Sequence, residues 1–72
     1  MIYKIECNSI LSAANGHAHY PEQTIQLGSA LLCFDLPYAE VKDLQWLVFG
    51  EFVELTDDDR RLAAQRVLPS PL

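Results

Sequence analysis

Between Asp35 and Gly50 the chain carries the signature of one amphipathic helix, while segments before and after it alternate in the two-residue rhythm of strands. That order points to an α+β domain rather than an all-helical or all-strand one. Asp35 stands where a side chain can cap the helix, and Pro37 falls in the first turn, where its missing N–H does no harm. Val41, Leu44, Trp46, Leu47 and Val48 then recur at three- and four-residue steps, with Lys42, Asp43 and Gln45 opposite them. Gly50 is the expected stop.

Ahead of this helix, Tyr3, Ile5 and Cys7 alternate with Lys4, Glu6 and Asn8, the pattern of a half-buried strand. Asn15-Gly16 is the pair that best tolerates positive φ, so the spacing predicts a hairpin turn there, with His17–Tyr20 as a second arm that stops at Pro21. Thr24–Leu27 alternates again up to Gly28-Ser29, and Ala30–Phe34 is a short apolar run that suits a buried strand or a buried helix equally. Beyond Gly50, Phe52, Val53 and Leu55 read as a short strand. Thr56 is an N-cap for a last helix whose first turn holds Asp57, Asp58 and Asp59, facing the positive end of the helix dipole. Leu62, Ala63, Val67 and Leu68 would form its apolar stripe. The expected fold is therefore α+β: a small antiparallel sheet of three to four strands packed by two helices. Residues 1–68 would make a single domain, and residues 69–72, beginning with Pro69-Ser70-Pro71, a frayed tail.

With 72 residues, half of them hydrophobic, the chain has more apolar surface than so small an interior can absorb. Some of it should stay outside and make a homodimer or a lasting partner contact. The apolar runs are far shorter than a membrane span, no secretion signal is visible at the start, and two cysteines are too few for a secreted scaffold, so the expected setting is the cytoplasm. Cys7 and Cys33 read as buried thiols, with a Cys7–Cys33 disulfide as the alternative.

Charge is unevenly placed. Eight carboxylates stand between Asp35 and Asp59 against Lys42 alone, and the net charge of the whole chain is −5. Such a surface repels phosphate, so direct nucleic-acid binding is not expected, whereas attraction to a basic protein surface is. Asp35, Glu40, Asp43, Glu51, Glu54, Asp57 and Asp58 are the candidate partner-binding acids, joined by Tyr20 and Tyr38, which lie beside prolines. Trp46, Phe49 and Phe52 are read as core at this chain length. The bland account of the acids is solubility and helix-start chemistry.

His17 and His19 are weak metal candidates: on an extended segment, residues two apart share a face. No third and fourth ligand accompanies them in the spacing zinc asks for, so no metal and no cofactor is expected. No acid has the apolar pocket that catalysis would require, and Gly16, Gly28 and Gly50 are isolated rather than part of a phosphate loop. The expected function is that of a small acidic, non-enzymatic binding protein. The analogy in size and charge is with phage or mobile-element inhibitors of the anti-CRISPR or anti-restriction type, which block a basic nucleic-acid-binding surface of a larger protein. The alternative is a structural or regulatory assembly subunit that forms an obligate dimer or hetero-complex through apolar surface.

Overall fold

The computed structural model describes residues 1–67, and for residues 66 and 67 the backbone alone. The chain runs β1 (Tyr3–Glu6), α1 (Ile10–His19), β2 (Thr24–Leu27), β3 (Ala30–Cys33), α2 (Tyr38–Leu47), β4 (Glu51–Val53) and α3 (Asp57–Val67). All four strands are antiparallel to their neighbours, in the order β2-β3-β1-β4. The α+β expectation holds. The sheet takes the larger of the two expected strand numbers, and a third helix stands where the hairpin arms were expected.

Strand pleating decides which residues face which layer. Ile5 lies opposite Leu31 and Phe52, and Tyr3 opposite Cys33. These side chains point to one side, where they meet Ala13 of α1 and Val41, Leu44 and Val48 from α2 and its end. Lys4, Leu32 and Val53 share the other side, which α3 covers with buried Ala63. With helices on both faces, all four residues of β3 are buried. This explains why the Ala30–Cys33 run is apolar without alternation.

Helix α1 corrects the expectation of a turn at Asn15-Gly16. Ser9 caps the helix, its Oγ accepting from Ser12 N–H at 3.1 Å. Gly16 does not supply positive φ here; it supplies closeness. A Cβ at Gly16 would stand 2.6 Å from Val48 Cγ1 and 2.8 Å from Leu31 Cδ1, so the missing side chain is what lets α1 settle on α2 and β3. The positive φ belongs to Gly28, at 63°, in the two-residue loop that joins β2 to β3.

Helix α2 begins later than expected. Leu36 precedes a proline, which pushes its backbone out of the helical region, so Pro37 rather than Asp35 occupies the cap position. Asp35 instead turns the chain after β3, with φ 61°.

At α3 the Thr56 cap is as expected, and Asp59 completes it. Thr56 Oγ1 accepts from Asp59 N–H at 3.1 Å, and Asp59 Oδ2 accepts from Thr56 N–H at 2.9 Å, a reciprocal capping box. The same Asp59 oxygen receives Lys4 Nζ at 2.8 Å, which ties α3 to β1. The Lys4 bond, followed by the Thr56 backbone N–H, holds the Asp59 carboxyl below its ordinary value of 3.8. A depressed carboxyl contributes stability in full above that ordinary value and loses it as the pH falls below it towards the folded-state pKa. Asp59→Asn should therefore lower stability at neutral pH and flatten the loss of stability in acid, relative to the parent. Urea unfolding at pH 7 and pH 3 measures both, and an unchanged acid loss in the variant would contradict the pairing. Leu68 and the tail residues 69–72, with the proposed end of the domain, lie outside the described residues.

Candidate functional site

The core-facing row of α2 is Val41, Leu44 and Val48, spaced three and four residues apart. Trp46 sits two residues from Leu44, which places it on the outer side, and 73% of it is exposed. Phe49 is 74% exposed. The expectation that both are core is therefore corrected; Phe52, half-buried against the core, is the aromatic that does pack inward. Glu40, Asp43 and Leu47 are also on the outer side of α2.

Helix α2 ends in a Schellman motif. Gly50 N–H donates to Gln45 O at 3.0 Å and Phe49 N–H to Trp46 O at 3.2 Å. In that motif the residue after the cap takes a left-handed backbone, a position glycine favours. Here it is Phe49, with φ 51°. Gly50 comes one residue later because it must: a Cβ there would stand 2.6 Å from Glu6 O and 2.6 Å from Ile5 Cγ2. Left-handed backbone costs a bulky residue about 1–2 kcal/mol. Gln45, Trp46, Phe49 and Gly50 line a hollow of about 300 Å³ at this end of the helix.

The start of α1 is held at the same end, since Asn8 N–H donates to Val48 O at 3.1 Å. Ile10 and Leu11, 62% and 82% exposed, are therefore at that end too. No residue of α1 carries a carboxylate, lysine or arginine. Chemically, the outer side of the α1–α2 layer offers aromatic and aliphatic contact area with two carboxylates beside it.

A larger open groove, about 630 Å³, lies at the other end of α2, where Tyr3, Tyr38 and Phe52 form an aromatic cluster with ring centroids 5.6–6.1 Å apart. Of its two cations, Lys4 is bound to Asp59 and Arg60 is 3.9 Å from Asp57; Lys42, outside the lining, lies 5.9 Å from the Phe52 ring centre. Tyr38 is exposed beside this groove, and Tyr20 is half-buried against the core.

The acids do not gather on one face. Glu40 and Asp43 are on α2, Glu51 pairs across from Glu6 on the α3 side of the sheet, and Glu54 borders the groove. Asp57 and Asp58 begin α3, within 3.9 Å and 3.5 Å of Arg60 and Arg61, and Asp35 is in the turn before α2. Among the described residues the ion pairs involve Asp57, Asp58 and Asp59, and none involves Glu40, Asp43 or Glu51.

The histidines occupy a helix, so residues two apart point about 200° from one another rather than to one face. Thr24 gives its hydroxyl proton to Tyr20 O, so His17 Nδ1, 2.7 Å from Thr24 Oγ1, must be the donor in that pair. His19 Nδ1 donates to Asn15 O at 2.9 Å. Among the described residues no three His, Cys, Asp or Glu side chains are grouped as a metal site. Cys7 and Cys33 are free, buried thiols; burial, then the Glu6 charge, pushes Cys7 up to about 11, and burial, then Cys7, pushes Cys33 up to about 12. Neither is poised as a nucleophile. No helix among the described residues is long and apolar enough to cross a membrane.

Comparison with protein-family models, with curated proteins and with solved structures finds no match to this chain.

Proposed function

We propose that this chain is a non-catalytic binding protein that docks the outer side of α2 onto a basic surface of a larger protein, of the kind that holds nucleic acid, and so blocks it. The observation that carries the reading is the exposure of Trp46 and Phe49 side by side on a helix end whose backbone would be more comfortable with glycine at position 49. Strained backbone and large exposed rings are retained where contact repays them. Glu40 and Asp43, on the same side of the helix and in no ion pair among the described residues, would orient the encounter and make it salt-sensitive.

Trp46→Ala should weaken capture of such a partner by about thirtyfold or more, the loss expected of an interface anchor worth 2 kcal/mol. Because Trp46 touches little of the core, the fold should persist. Calorimetry with the captured partner, at low and high salt, reads both effects. Unchanged affinity in the variant would sink the docking face.

A second reading is supported by Ile10 and Leu11, exposed at the start of an uncharged helix: a self-associating or assembly subunit whose contact is apolar. Sedimentation of the parent and of Leu11→Lys separates the two. Assembly that is insensitive to salt and lost in that variant favours the second reading; a monomer at both salts favours the first.

A further inference from the structure

We propose that the hollow between Trp46 and Phe49 is a receptor for one arginine side chain of the docked protein. The inference rests on the docking reading above and goes further, in naming the chemistry of the group received. The hollow is walled by two aromatic residues, whose ring faces attract cations, and a guanidinium stacks on such faces more readily than an ammonium.

Three further features favour positive charge at this place. The hollow is at the C-terminal end of α2, the negative end of the helix dipole, and the last turn of α2 holds no basic residue to complement it. Asp43 is three residues before Trp46, on the adjacent position of the same helix surface, and has no ion-pair partner among the described residues. Gln45 spends its Nε2 on Gly50 O at 3.2 Å, which leaves its side-chain oxygen as an acceptor for a guanidinium N–H.

The hollow, at about 300 Å³ and open, suits one side chain rather than a small-molecule ligand enclosed on all sides. Its position at the end of a helix, beside two residues about three-quarters exposed, fits an anchor from a partner's surface.

The test uses acetyl-Gly-Arg-Gly-amide and its twin with citrulline, which keeps the shape of arginine and removes the charge. Trp46 is the only tryptophan, so its indole resonance and its fluorescence report the site directly. The arginine peptide should shift the Trp46 indole and the Phe49 and Gly50 amides saturably, in the millimolar range, and the citrulline peptide should bind about fivefold more weakly. Asp43→Asn should narrow that difference, and Phe49→Gly should remove most of the response. Equal response to the two peptides, or shifts elsewhere with the Trp46 indole unmoved, would overturn the assignment. If the two peptides respond equally while Trp46→Ala still abolishes partner capture, the receptor fails and the docking face stands. If arginine is preferred but that variant captures the partner normally, the hollow binds cations and the docking reading fails.

Discussion

Gly50→Ala should remove at least about 3 kcal/mol, more than half the stability of a domain worth on the order of 5 kcal/mol in all. The added Cβ would meet Glu6 O and Ile5 Cγ2 at 2.6 Å and Cys7 Cα at 3.2 Å. Two of those three atoms are backbone, so relief requires moving β1, whose central place in the sheet joins β3 to β4. The other glycines calibrate the effect. At Gly16 the crowded atoms are the ends of Val48, Leu31 and Leu44 side chains, which can turn aside, so Gly16→Ala should cost less. At Gly28 nothing stands within 4 Å and the positive φ is the sole obstacle, so Gly28→Ala should cost about 1 kcal/mol. Urea titration followed by circular dichroism ranks all three. A Gly50→Ala protein within 1 kcal/mol of the parent would show that the end of α2 does not press on β1 as described.

The same glycines mark how much of the fold could be read from the sequence. Period-two alternation places β1 correctly because one face of that strand is core and the other carries Lys4 and Glu6. Thr56 announces α3 because a cap is a local interaction, complete within four residues. Asn15-Gly16 misleads because a glycine serves either the backbone's freedom or a neighbour's closeness, and only the packing of α1 on Val48 and Leu31 decides. A local signal for α1 was present in Ser9, followed by Ile10, Leu11, Ala13 and Ala14, a cap and good helix formers. Trp46 and Phe49 were misplaced for a related reason. Hydrophobicity says what a side chain prefers, and on α2 the inward row was already filled by Val41, Leu44 and Val48. The acids likewise share a stretch of sequence without sharing a face, since β4 turns Glu51 towards the α3 side of the sheet while Glu40 and Asp43 stay on α2.

Phe49→Gly is expected to separate stability from binding by moving them in opposite directions. Glycine adopts φ 51° without the crowding that a Cβ brings, which relieves the cost at this position by about 1–2 kcal/mol. The unfolded chain also gains freedom with glycine, which offsets part of that, so the net gain should be about 0.5–1 kcal/mol, or about 3–6 °C in melting temperature. Little packing is lost, because the ring is three-quarters exposed. Binding should go the other way, by about 2 kcal/mol or thirtyfold in Kd, since the variant removes one wall of the hollow beside Trp46. Most substitutions that impair binding also impair folding, which leaves their cause ambiguous; a variant that melts higher and binds worse has no such ambiguity. Thermal unfolding and calorimetry on one preparation give both numbers. If Phe49→Gly melts lower than the parent, the ring is holding the domain together and belongs to its core energetics. If it melts higher and binds as well as the parent, the strain at this helix end serves something other than contact.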